Sequence, residues 1–272
     1  MIALFDSGYG GLTIFSSVRH LLPQYDYIYL GDNARTPYGT RSFDVVYRFT
    51  LEAVKTLFGL GAELVILACN TASAKALRTI QQVDLPRLDP TGRKRVLGII
   101  RPSVEALGSL TPSGHVGIMA TAGTVSSQSY VIEMSKFWPG VKVSQQACPL
   151  WVPLVENAEY DKPGADYFVR KYTGELLAQD HDIDTVMLAC THYPLLAPKI
   201  SEALPGGVRL LTQGDIVARS LSDYLARHTE LEMSLPRGGS AQFFTTENPD
   251  KFADTASLFF DGGLTVRHIE MA

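Results

Sequence analysis

Apolar residues along the chain fall into short continuous runs that alternate with stretches of helical spacing. IALF (2–5), YIYLG (27–31), LVILA (64–68), VLGII (96–100), HVGIMA (115–120), KVSQQA (142–147) and TVMLA (185–189) read as strands, followed by VRLLT (208–212), AQFFTT (241–246) and LTVRHI (264–269). Between them, LTIFSSVRHLL (12–22), FDVVYRFTLEAVKTLFGLG (43–61), TASAKALRTIQQ (71–82), PSVEALGSL (102–110), DIVARSLSDYLARH (215–228) and DKFADTASLFF (250–260) read as helices. In the second of these, Val46, Phe49, Ala53, Leu57 and Leu60 share one face, and Gly59 and Gly61 stop it. Pro102 suits a first helical turn, where its missing N–H costs nothing. Strands as uniformly apolar as LVILA are expected where helices cover both sheet faces. The pattern therefore predicts an α/β fold with mostly parallel sheets. DLPRLDPTGRKR (84–95), rich in Pro and charge, is the most linker-like piece.

The pattern also repeats weakly. LVILACNT returns as TVMLACTH, with Cys190 following Cys69 by 121 residues, and IALFDSGYGG (2–11) is echoed by VGIMATAGTV (116–125), 114 residues on. Both pairs run in the same order, strand with glycine loop first and strand with cysteine second. Two similar, doubly wound α/β halves facing each other across a cleft explain this. Chance likeness between buried strands is the alternative.

Composition narrows the class. The chain has 272 residues, enough for one large domain or two ordinary ones, and 46% of them are apolar. A formal net charge of −4 offers no dominant basic surface, so nucleic acid is not expected as a partner. The three cysteines, Cys69, Cys148 and Cys190, are odd in number and widely spaced, which suits reduced thiols in a cytoplasmic setting better than a disulfide framework. MIALFDSGYGG does not read as a secretory signal, and no run reaches the roughly 18 apolar residues of a membrane helix.

Ligands of open parallel sheets bind beyond the carboxyl ends of the strands. Cys69 and Cys190 both stand at such ends, each before a segment able to open a helix, where dipole and free N–H groups favour a thiolate. Cys148, in QQACPLWVP, reads as a buried structural cysteine. A thiol pair could form a disulfide if its Cα atoms came within about 7 Å. Zinc is poorly served by scattered cysteines and a single Cys190-Thr191-His192. The third use is acid–base chemistry on the two faces of one carbon, one thiolate removing a proton and the opposed thiol returning another. A free thiol pKa of about 8.5 then calls for tuning groups. Asp6 can serve Cys69 and His192 can serve Cys190, although Asp6 could be a turn or cap residue and His192 an ordinary loop histidine. GYGGLT (8–13) has neither the spacing of a dinucleotide loop nor that of a Walker loop, and reads as a tight turn or a close backbone approach to a carboxylate.

DSGYGGLT (6–13), LGDNARTPYGTRS (30–42), ACNTASA (68–74), ATAGTVSSQSY (120–130), ACPLWVPLVE (147–156) and ACTHYPLL (189–196) together resemble the motifs of the bacterial glutamate racemases, within the aspartate/glutamate racemase superfamily. The resemblance implies two α/β domains with the site between them, residues 1–98 with 210–272 and residues 99–209, and no pyridoxal phosphate, metal or nucleotide. It implies that Cys69 takes the α-proton of D-glutamate and Cys190 that of L-glutamate. Asp6 and His192 would assist, Glu156 supporting His192. Ser7, Pro37, Tyr38, Gly39, Asn70, Thr71, Thr121, Thr124 and Thr191 would hold the substrate. Each has an ordinary alternative: the hydroxyls as caps or turns, Tyr38 as a loop aromatic over the core, Glu156 as an exposed carboxylate. The resemblance further implies a cytoplasmic homodimer that supplies D-glutamate for peptidoglycan, and leaves room for a second role on DNA gyrase. Two departures stand out: LTQGDIVA (211–218) where the family often has Asp-Ser, and Arg101-Pro102 where it often has Glu-Pro. Aspartate or hydantoin racemases, isomerases and decarboxylases of the same superfamily are the competing enzymes, and a binding protein using the same cleft is the competing class.

Overall fold

The computed structural model describes residues 1–260 and 262–271. Ten strands form two sheets: β1 (Ile2–Asp6), β2 (Tyr27–Gly31), β3 (Leu64–Leu67), β4 (Arg95–Gly98), β5 (His115–Ala120), β6 (Lys142–Ala147), β7 (Thr185–Ala189), β8 (Arg209–Leu211), β9 (Ala241–Thr245) and β10 (Val266–His268). One sheet has the order β10-β9-β2-β1-β3-β4, the other β6-β5-β7-β8. Every pairing is parallel. Four strands of the first sheet, β2-β1-β3-β4, thus have the same order as the whole second sheet. The weak sequence repeat is a repeat of topology, and the cysteine motifs sit at equivalent places, after β3 and after β7.

Both faces of each sheet are covered. In β1, Ile2 and Leu4 join a core with Leu12, Phe15 and Val18 of the helix Gly11–Leu21. The alternate residues Ala3 and Phe5 join another core with Val46, Ala53 and Leu57 of the helix Phe43–Gly59. The period-two alternation of a strand sends successive side chains to opposite faces, so continuous apolarity is what a doubly covered strand needs. Around Phe15, the rings of Tyr27, Tyr29, Phe243 and Phe260 pack with centroids 5.3–6.0 Å away, mostly edge to face.

Several boundaries differ from the sequence expectation. The strand expected over 96–100 ends at Gly98, and Ile100 already opens a helix to Leu110, with Pro102 in its first turn. The helix expected over 71–82 breaks after Lys75, where Ala76 leaves helical geometry (φ −121°). A wider π turn follows over Ile80–Asp84, and the linker-like segment begins as one more helical turn, Leu85–Leu88. The helix expected over 250–260 stops at Ala256, and the last strand keeps only Val266–His268. Helices Ser129–Phe137, Trp151–Glu156, Pro163–Gln179, Ala197–Ala203 and Thr229–Ser234 did not stand out from the apolar pattern. All three cysteines are free thiols. No helix among the described residues is long and apolar enough to cross a membrane.

The helix Ile100–Leu110 packs closely on the segment that follows Ser129–Phe137, because Gly108 has no side chain: a Cβ there would overlap the Trp138 indole. Gly108→Ala gains about 1 kcal/mol of helix propensity but forces an overpacking cost of about 1–3 kcal/mol. The expected outcome is a net loss of stability, read as a lower urea midpoint at unchanged slope. An unchanged or higher midpoint would show that Trp138 yields freely.

Candidate active site

The reversal of strand order about β1 places the site. In the order β2-β1-β3, the chain leaves β1 to one side and returns to the other, so a crevice opens beyond the carboxyl ends of β1 and β3. Asp6 and Ser7 stand at the first end, Cys69 and Asn70 at the second. In the other sheet, Thr121 follows β5 and Cys190 follows β7. The two crevices face each other and touch: Thr71 Oγ1 lies 3.0 Å from Thr121 Oγ1 and 3.4 Å from Thr124 Oγ1, and Thr13 Oγ1 lies 3.2 Å from the Thr191 carbonyl. The Gly123 N–H donates to the Gly39 carbonyl at 2.8 Å.

Cys69 is the N-cap of the helix Asn70–Lys75, and its sulfur accepts from the Ala72 N–H at 3.4 Å, with Ser7 Oγ at 3.3 Å. Those contacts favour a thiolate, as the sequence suggested, but they do not win. Burial and the neighbouring Asp6 carboxylate push the thiol up to about 12, so Cys69 rests protonated. Asp6 is itself raised by burial, against the opposing pull of His192. Its Oδ2 accepts from the Gly8 N–H at 2.9 Å, while Oδ1 is buried without a hydrogen-bond partner among the described residues.

Around Cys190 the arrangement is different. His192 Nδ1 lies 4.0 Å from the sulfur and Nε2 lies 2.9 Å from Glu156 Oε1. Burial opposes a charge on this ring, yet Cys190 and Glu156 together raise His192 to about 10. Glu156 ends the helix Trp151–Glu156, which is anchored by the fully buried Trp151 ring set edge-on against Tyr193 at 4.8 Å. The Tyr193 hydroxyl donates to the Cys148 carbonyl at 3.0 Å. Cys148 is thus part of the packing that aims His192 at Glu156, and its own buried sulfur lies 3.6 Å from the Gln146 carbonyl. Gly10 lets the first glycine loop approach: a Cβ there would overlap Thr191 Oγ1 and the His192 ring.

Most residues singled out in the sequence therefore gather in one place. Tyr38 is occupied otherwise. Its hydroxyl donates to Asp32 Oδ2 at 2.5 Å and its ring packs between Phe5 and Phe49, so Tyr38 itself can offer a ligand only its backbone. Pro37 precedes it across a cis peptide from Thr36. Thr121 caps the helix Ala122–Ser126 through the Thr124 N–H, so the capping alternative holds for it as well. Sequence reasoning missed Asp32, fully buried and held by Arg35, Tyr38 and Thr246, and it missed the partners of Asn70, Tyr130 and Gln213, together with Ser103, which accepts from Gln213. The only signal for Gln213 was its departure from the family pattern. Hydroxyls, an amide and backbone N–H groups around two thiols can hold carboxylates at small charge cost and move protons from two sides.

The Asp/Glu/Hydantoin racemase family model matches residues 13–221. The glutamate racemase of Geobacter metallireducens is 38% identical over 264 residues, spanning 97% of this chain and 93% of that protein. The glutamate racemase of Roseobacter denitrificans is 39% identical, spanning 95% and 96%. Among solved structures, glutamate racemase isoform RacE1 from Bacillus anthracis superposes with a TM-score of 0.89 at 32% identity, over 99% of this chain and 97% of that one. The Francisella tularensis glutamate racemase in complex with D-glutamate gives 0.85 at 28% identity, over 100% and 96%.

Glu156→Gln removes one of the two partners that raise His192 while leaving its burial intact. His192 is therefore expected to titrate below its present value of about 10, as read from imidazole NMR shifts against pH. A group raised from 6.5 contributes stability that is complete below pH 6.5 and fades as pH rises towards 10, so the variant should lose most stability on the acidic side of that window. An unmoved titration would leave Cys190 as the sole cause.

Proposed function

The chain belongs to the Asp/Glu/hydantoin racemase family, and from that premise we propose that it interconverts L- and D-glutamate by two-base proton transfer between Cys69 and Cys190. The observation that carries this reading is the placement of two free thiols beyond equivalent strands of two sheets with the same strand order, facing one cleft. Inversion at a carbon needs a proton removed from one face and another delivered to the opposite face, which one base cannot do.

From L-glutamate, the thiolate of Cys190, its charge stabilised beforehand by the imidazolium of His192 beside it, takes the α-proton and becomes a thiol. The C–H electron pair stays on the α-carbon as a carbanion. Cys69, resting as a thiol, gives its proton to the other face and becomes the thiolate. From D-glutamate the roles exchange: Cys69 must first lose its proton, and Asp6, with a free buried Oδ1, is placed to receive it. Glu156 holds the His192 ring. Ser7, Asn70, Thr71, Thr121, Thr124 and Thr191, with backbone at Pro37–Gly39, hold the two carboxylates and the ammonium. The α-proton of an amino acid is weakly acidic, so the carbanion needs a dry, preorganised polar site, and the buried hydroxyls and amides support that.

The same reading gives the wider setting: no added pyridoxal phosphate, metal or nucleotide, a cytoplasmic homodimer, and D-glutamate supplied to peptidoglycan. It also divides the chain into residues 1–98 with 210–272 and residues 99–209, although the pairing of β8 with β7 favours carrying the second crossing past Leu211.

The test is ¹H NMR of L- and of D-glutamate in D₂O with the protein under reducing conditions and no cofactor. Loss of the α-proton and appearance of the other enantiomer are expected from both sides. Cys69→Ala and Cys190→Ala should each abolish racemisation, and added pyridoxal phosphate or divalent metal should bring no gain. Near-full racemisation by either single variant would rule out the two-base mechanism. Absence of exchange with glutamate would turn the reading to aspartate.

A further inference from the structure

We propose that Gln213 is a positioning residue that fixes the side-chain amide of Asn70, and through it the N–H that Asn70 offers to a substrate carboxylate; this rests on the reading of Asn70 as a substrate-binding residue. Four buried polar side chains from four separate segments meet here: Asn70 after β3, Ser103 in the helix Ile100–Leu110, Tyr130 in the helix Ser129–Phe137, and Gln213 just before the helix Gly214–Arg227. Asn70 adjoins Cys69, and Gln213 shares with Cys190 and Thr191 the lining of a cavity of about 170 Å³.

The two ends of an amide have nearly the same shape, so only the partners decide which way it faces. The accounting starts at the Ile99 carbonyl, which takes the Ser103 hydroxyl proton at 2.6 Å. Ser103 Oγ can then only accept, and the donor it meets is Gln213 Nε2 at 2.7 Å. That turns Gln213 Oε1 towards Asn70, whose Nδ2 donates to it at 2.6 Å. Asn70 Oδ1 is left as the acceptor for the Tyr130 hydroxyl at 2.7 Å. The second N–H of Gln213 is shared between the Tyr130 oxygen at 3.0 Å and Asn70 Oδ1 at 3.3 Å. Every donor and acceptor finds a role in one arrangement only, and a single Asn70 Nδ2–H remains without a partner among the described residues.

The orientation matters because a carboxylate needs a donor. An Asn70 amide turned over would present its oxygen to the substrate's negative charge and leave its nitrogen facing the Tyr130 hydroxyl. Gln213 excludes that arrangement, and it does so at the place where the family's Asp-Ser is absent from this chain.

The experiment is steady-state racemisation by the intact protein, comparing Asn70→Ala, Gln213→Met and the double variant, with Ser103→Ala as a milder probe. Gln213→Met keeps the length and loses both hydrogen-bonding ends. It should raise KM for glutamate about tenfold, the scale of one hydrogen bond to a charged group, with kcat little changed. The double variant should match Asn70→Ala alone, because residues acting as one unit are not additive. Ser103→Ala should raise KM in the same direction by a smaller factor, again without adding to Asn70→Ala. It supplies the same comparison should Gln213→Met fail to fold. An unchanged KM in Gln213→Met and Ser103→Ala, or effects that add fully to that of Asn70→Ala, would overturn the positioning role while leaving Asn70 as a binding residue. An unchanged KM in Asn70→Ala would overturn that binding role, and the positioning role with it.

Discussion

A parallel sheet whose chain leaves its first strand to one side and returns to the other must open beyond the carboxyl ends of the two strands between which it switches. The helix after β1 lies over one face and the helix after β2 over the other, so they part beyond the ends of the strands. Residues that end β1 and follow β3 are therefore the ones that can meet a ligand, whatever their identity. The second sheet has the same strand order and so makes the same gap. Two such gaps set against each other, with Thr71 touching Thr121 and Thr124, make a site with two chemically distinct walls. Small residues at the contact, above all Gly10 against Thr191 and His192, let the walls come close.

Closeness has an electrostatic cost. Asp6, Cys69 and His192 are all buried, and taking any of them from water disfavours its charged form. The structure resolves this differently on each wall. On one, burial holds both Cys69 and Asp6 towards their protonated forms, and the nearby Asp6 carboxylate adds to the effect on Cys69. On the other, the Glu156 carboxylate and the Cys190 sulfur flank the His192 ring and overcome the burial penalty, holding it as a cation.

Fold class and the cysteine pair were legible in the sequence because they rest on signals carried by neighbouring residues. LVILACNT and TVMLACTH each hold a strand, its end and a thiol in eight letters. The helix Pro163–Gln179 was not legible because its buried positions Ala165, Val169, Tyr172, Thr173 and Leu176, though at helical spacing, include a small residue, a Tyr and a Thr, so its apolar face is weak. The break at Ala76 has no local marker, since TASAKALRT is composed of residues that a helix tolerates. The thiol at Cys69 could not be judged from its helix cap alone: the cap was seen, but the competing burial and the Asp6 charge come from tertiary packing. The Asn70–Gln213 contact spans 143 residues, and no local pattern points to it.

The two halves share a frame but surround their cysteines differently, and the difference follows from what comes next in each half. After β3, Cys69 opens a regular helix, so its sulfur is used as a cap and meets backbone N–H and the Ser7 hydroxyl. After β7, Cys190 is followed by Thr191 and His192 before a 3₁₀ turn at Tyr193, whose second residue is Pro194. A 3₁₀ turn begun three residues later leaves the sulfur uncapped and sets the imidazole beside it instead. The Trp151–Tyr193 contact then fixes how far that imidazole stands from Glu156. Equivalent positions in a duplicated topology thus acquire unlike electrostatics from a shift of helix start by a few residues. A symmetric pair of thiols would have to share one protonation preference. Here the surroundings differ: burial and Asp6 hold Cys69 towards its thiol, while the His192 ring, raised by its own partners, stands 4.0 Å from the Cys190 sulfur.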